Sequence, residues 1–95
     1  MDKNEIYEMV IQEMTEHALM ERRESCEEEE QKLYQEIGVL SEQKRDVLAK
    51  LSTEDRQVID DYITKTNLIA QHECEYLYVQ GARDCVELLK KLGVL

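Results

Sequence analysis

Apolar residues recur along this chain at steps of three and four, the spacing of one face of an α-helix. Asp2, followed three residues later by Glu5, has the form of an N-cap with an acidic third position. Ile6, Met9, Val10, Met14, His17 and Met20 then mark one stripe, which predicts a helix over about 3–20. From Cys26 the steps alternate between four and three through Glu30, Leu33, Ile37, Leu40, Lys44, Val47 and Leu51. That is a heptad seam of coiled-coil type, predicting a second helix over about 24–50. Its charged positions, Glu30 and Lys44, lower stability but specify register.

The clearest boundary is Leu51-Ser52-Thr53-Glu54-Asp55, where Ser52 can cap a new helix and Asp55 meets its positive end. The third helix, over about 53–92, carries Ile59, Tyr62, Ile63, Thr66, Ile69, Ala70, Leu77, Gly81, Cys85, Leu88 and Leu92. It stops at Lys90-Lys91-Leu92-Gly93, with cations in the last turn and glycine just past it. If Val94 occupies the next position, it folds back on Leu89.

A tight turn at 51–53 would pair helices two and three antiparallel, setting Ile37 roughly opposite Asn67. The expected fold is all-α: a long antiparallel helical hairpin, coiled-coil-like, with an N-terminal helix and a four-helix bundle completed by dimerisation. At 1.5 Å per residue the third helix spans about 60 Å and residues 24–50 about 40 Å, so helix one is needed as cover for the remainder. Two routes are open to it. It can run straight into helix two, which the lack of Gly and Pro in Met20-Glu21-Arg22-Arg23-Glu24-Ser25-Cys26-Glu27-Glu28-Glu29-Glu30 favours, or it can fold back as a third member. Opposite charges at i,i+4 spacing, such as Arg23 with Glu27, make a solvated helix face the plain reading of that run. A surface of Glu27, Glu28, Glu29 and Glu30 for docking a basic partner is the alternative. Gly38 raises the prospect of a break at 38–41 with Ser41 as a new cap. Gly81 and Cys85 form a ridge of small residues that would let another helix approach closely.

Composition narrows the class. Ninety-five residues support one domain, and a chain without Pro, Phe or Trp and with three Gly is the material of long helices. Twenty-two acidic against twelve basic residues give a formal charge of −10, so direct nucleic-acid binding is not expected. The imbalance is concentrated early: residues 1–51 hold fourteen acids and seven bases, residues 52–95 eight and five. No apolar run suggests a membrane span. The charged start Met1-Asp2-Lys3 predicts no signal peptide, and the unframed cysteines, Cys26, Cys74 and Cys85, are expected as reduced apolar filler in a cytoplasmic protein.

Chemistry is sparse. His17 follows Glu13, and His72-Glu73-Cys74-Glu75 gathers three types of metal ligand, but neither stretch has the spacing of a metal site and neither CxxC nor HExxH occurs. Cys74 and His72 lie on different faces of one helix, and no glycine-rich turn offers an oxyanion hole or phosphate cradle. No catalytic residue, metal ligand or cofactor is assigned.

The stretches LSTEDRQVIDDY and QHECEYLYVQGARDCVELL, within residues 51–92, resemble a family of small, functionally uncharacterised helical proteins of Gram-positive bacteria and their mobile elements. The resemblance implies an α-helical hairpin with Gly81 and Arg83 at a packed position.

The expected function is therefore non-enzymatic: a protein–protein interaction or regulatory module, with the chain itself as partner in a homodimer. Leu33, Ile37, Leu40, Ile59, Ile63, Leu77, Gly81, Cys85 and Leu88 are the expected core and self-association residues. The alternative is an acidic inhibitor that imitates nucleic acid and occupies the basic channel of a nuclease, a restriction or CRISPR effector, or a transcription factor.

Overall fold

The computed structural model describes residues 1–95 and is all-helical: three helices hold 88% of the chain, and there are no strands. Helix α1 runs Lys3–Ser25, α2 runs Glu28–Ala49 and α3 runs Thr53–Lys91.

The ends form as their residues dictate. Asp2 Oδ1 accepts a hydrogen bond from the Glu5 amide at 2.8 Å, closing the first turn of α1. Ser52 Oγ does the same for Asp55 at 3.1 Å and starts α3, with Glu54 and Asp55 in its first turn. At the far end of α3 the Val94 amide donates to Leu89 O at 2.9 Å and the Gly93 amide to Lys90 O at 3.1 Å. Gly93 takes φ +75°, the left-handed position that this double closure requires. The predicted return of Val94 onto Leu89 is what forms.

α1 does not run straight into α2. Cys26 and Glu27 interrupt the helix, Glu27 being extended at φ −64°, ψ 159°. No glycine or proline stands at the break, and the charge order favours it. With Arg22 and Arg23 before the break and Glu28, Glu29 and Glu30 after it, splitting the helix places cations at a C-terminus and anions at an N-terminus. Each arrangement favours the helix dipole by about 0.3–1 kcal/mol, an advantage absent from an unbroken helix. Ser25 Oγ and Cys26 Sγ also donate back to Glu21 O and Arg23 O, at 2.8 and 3.2 Å, which ends the ladder locally. Gly38, by contrast, lies inside an unbroken α2, and Ser41 caps nothing.

The chain divides into two compact units. One joins residues 1–19 to residues 68–95; Ile11 and Leu19 of α1 are half-buried in it, as are Cys74, Val79 and Leu89 of α3. Thr15, between Ile11 and Leu19, is 5% exposed, and its hydroxyl has no hydrogen-bond partner. The other unit is residues 20–67, where Leu48 is the one buried apolar side chain of the molecule, at 8% exposure, and Leu51 and Ile63 are half-buried.

Most other side chains are exposed. The accessible surface totals 8578 Å², against about 5,700 Å² for a typical folded monomer of this mass. Gln side chains reach acids four residues ahead along these open faces, Gln57 to Asp61 at 2.8 Å and Gln80 to Asp84 at 2.9 Å among them.

Candidate interaction surface

The residues expected to form the core are, with few exceptions, on the surface. In α2, Leu33, Ile37, Leu40 and Val47 are 56%, 58%, 59% and 57% exposed. Leu48, the one buried side chain of α2, sits about 100° round the helix from its neighbour Val47 of the seam. The helix thus packs along the edge of its apolar stripe and leaves the centre of the heptad seam open.

α1 does this more completely. Ile11, Thr15 and Leu19 face inward, whereas Ile6, Met9, Val10, Met14 and Met20 are exposed on nearly the opposite side. On α3, Ile63 is half-buried and Ile59 is only just exposed, but Leu77 and Leu88 are 66% and 56% exposed. A side chain added at Gly81 would meet nothing within 4 Å, so no helix of this chain approaches closely there. The cysteines are free, with Cys26 and Cys74 half-buried and Cys85 exposed, so none is the buried filler expected.

Beside the open seam of α2 a set of polar contacts spans the interrupted junction. Arg22 Nη2 pairs with Glu30 Oε1, and Arg22 Nη1 donates to the Tyr34 hydroxyl at 3.3 Å. The Arg23 guanidinium lies 5.9 Å from the centre of the Tyr34 ring. Gln31 Nε2 donates to Cys26 O at 2.9 Å, and the Gln31 and Glu30 amides both reach Glu27 O at 3.0 Å. The hydrogen bond and charge of Glu30 raise the Arg22 pKa above its ordinary value, with Tyr34 adding a smaller effect.

This geometry divides the glutamate run. Glu30 is half-buried and engaged with Arg22, whereas Glu27, Glu28 and Glu29 are exposed at the start of α2. Their first structural task is at the helix end, where Glu27 leads in and the next three acids meet the positive pole. The role of Arg22 and Arg23 as holders of the junction was not foreseen. The signal for it was a pair of arginines followed within eight residues by Glu30 and within twelve by Tyr34.

No three or more His, Cys, Asp or Glu side chains converge in a way that could hold a metal ion. His72 and Glu75 share a shallow depression in the first unit with Ile11, Tyr76, Val79 and Arg83. No helix is long and apolar enough to cross a membrane. No protein-family model matches the chain, and no curated protein or solved structure is significantly similar to it.

Proposed function

We propose that this chain is a non-enzymatic protein–protein interaction module whose working surface is the open apolar stripe of α2, and that it acts as a homodimer. The observation that carries this reading is the exposure of Leu33, Ile37, Leu40 and Val47, four apolar residues in heptad register that the chain itself leaves uncovered. Contiguous apolar faces of this kind are where soluble proteins meet partners. A two-helix seam with so little buried apolar surface does not offset the entropy of ordering its residues, whereas two such seams closing on each other in a four-helix bundle do. In that assembly α2 and α3 act as the antiparallel hairpin, and Leu77, Gly81, Cys85 and Leu88 offer a second strip for close approach.

The exposed Glu27, Glu28 and Glu29 support a second reading, an acidic mimic of nucleic acid that blocks a basic protein. Salt separates the two. Binding through the apolar stripe persists between about 0.1 M and about 1 M salt, whereas a charge-driven complex weakens steeply as the screening length falls from about 10 Å to about 3 Å. The test is a salt series on the purified chain and on whatever it retains, run beside a variant with Glu27, Glu28, Glu29 and Glu30 all changed to Gln. Self-association that survives high salt supports the apolar module, with the four substitutions weakening it at most in part because Glu30 also pairs with Arg22. Capture of a basic protein that is lost both at high salt and on the four substitutions supports the mimic.

A further inference from the structure

We infer that a second copy of this chain covers the α2 seam in antiparallel orientation, with the two-fold axis near Ile37. This deepens the reading of the stripe as a self-association surface and rests on it. Three observations select the occupant and its direction.

The first is charge. Residues 27–38 hold Glu27, Glu28, Glu29, Glu30 and Glu36 against Lys32, a net charge of −4. Residues 39–50 hold Lys44, Arg45 and Lys50 against Glu42 and Asp46, a net charge of +1. Parallel pairing in register would lay the glutamate run of one copy against that of the other. Antiparallel pairing lays it beside the partner copy's basic end, so each copy presents the complement of what it needs.

The second is the placement of the charges within the seam. Glu30 and Lys44 are each seven residues, two helical turns, from Ile37. A two-fold at Ile37 therefore brings Glu30 of each copy level with Lys44 of the other, at both ends of the interface. Glu30 already holds Arg22, and a carboxylate can accept from both cations at once. The same axis brings Leu33 within one residue of the level of the other copy's Leu40, so that apolar layers flank Ile37 on both sides.

The third is area. The surplus of roughly 2,900 Å² over the surface of a typical folded monomer accommodates what an obligate homodimer buries, about 1,000–2,500 Å² per copy. A peptide-sized ligand would leave much of that surplus in water. A second copy has the length, the heptad register and the charge order to cover the α2 seam, which is one part of that surplus.

Pulsed dipolar spectroscopy on spin labels tests the orientation. Glu36→Cys and Gln43→Cys, each in a chain with Cys26, Cys74 and Cys85 changed to Ser, put labels seven residues apart on the same flank of the seam. An antiparallel pair with its axis at Ile37 separates the two Glu36 labels by about 3 Å along the axis and the two Gln43 labels by about 18 Å, giving a short and a clearly longer distance. Molar mass by light scattering is measured on the same samples, and circular dichroism confirms that both variants remain helical. Equal distances at the two positions would mean parallel pairing and overturn the inference. A dimeric mass with both labels far apart would also overturn it while leaving the chain a self-associating module. A monomeric mass with no intermolecular distance would overturn the inference and the homodimer together.

Discussion

Leu40 and Leu48 are both leucines of α2, and comparing their truncation separates a chain that is finished as a monomer from one that is completed by assembly. Leu48 is 8% exposed, so Leu48→Ala removes a packed side chain and lowers stability by about 2–3 kcal/mol, within the usual range for a buried leucine. Leu40 is 59% exposed. In an isolated chain its truncation forfeits about two fifths of the roughly 1.5–3 kcal/mol that full burial contributes, hence at most about 1.2 kcal/mol. In a dimer closed over the seam, Leu40 becomes a core residue and Leu40→Ala costs about 2–4 kcal/mol per chain. Urea unfolding followed by far-ultraviolet circular dichroism, at two protein concentrations about a hundredfold apart, reads both numbers and their dependence on mass action, which over that range is worth about 2.7 kcal/mol. The expected result is a Leu40→Ala cost of about 2–4 kcal/mol per chain, comparable with that of Leu48→Ala, and an unfolding midpoint that rises with protein concentration. A Leu40→Ala cost of no more than about 1.2 kcal/mol, with a midpoint that does not move between the two concentrations, would refute closure of the seam.

Three further substitutions test separate parts of the structure. Thr15→Val replaces a buried hydroxyl that has no partner with a methyl of similar volume, so it should stabilise the fold by about 1 kcal/mol, seen as a melting point about 4–8 °C higher. Gly38→Ala, in the middle of α2 with nothing within 4 Å of the added carbon, should raise stability by up to about 1 kcal/mol in the same melting assay. Ser52→Ala removes the acceptor for the Asp55 amide at the start of α3 and should lower stability by about 1 kcal/mol, whereas Ser52→Asp should restore most of it.

What the sequence made legible was local. Asp2 with Glu5, Ser52 with Asp55 and Gly93 with Val94 are short-range devices in which one side chain or one positive φ satisfies neighbouring backbone groups, so residue type and spacing suffice to read them. The bounds of α3 follow from two of these and lie within a residue of expectation. The break at Cys26 and Glu27 runs against the continuity that the lack of Gly and Pro favoured, and the order of the charges is the one feature of the sequence that agrees with it. Counting i,i+4 pairs suggests a continuous face, whereas the sign of the helix dipole explains why arginines before glutamates end one helix and begin another.

Which stripe of each helix turns inward was not legible. Periodicity identifies an apolar face but does not say whether the same chain or another covers it. Ile6, Met9, Val10 and Met14 on α1 and Leu33, Ile37 and Leu40 on α2 follow helical spacing and are nonetheless exposed, while Ile11, Thr15 and Leu19 pack with a hydroxyl among them. Cys85 reads as small apolar filler and lies in solvent beside Gly81, where no close neighbour is present. Of the interaction surface itself, the seam and its charged positions were visible in advance. The clasp of Arg22, Glu30 and Tyr34 was not, because it depends on the angle between two helices rather than on spacing within one.

Sedimentation equilibrium over a wide range of protein concentration, at low and at high salt, bears most directly on the claim that the open seam is closed by assembly. A chain of 11.2 kDa that pairs through α2 sediments with about twice that mass at the higher concentrations, in both salts, and dissociates together with loss of helix on dilution. A mass of 11.2 kDa at every concentration, from a chain that stays helical and unfolds at a temperature independent of concentration, would contradict it.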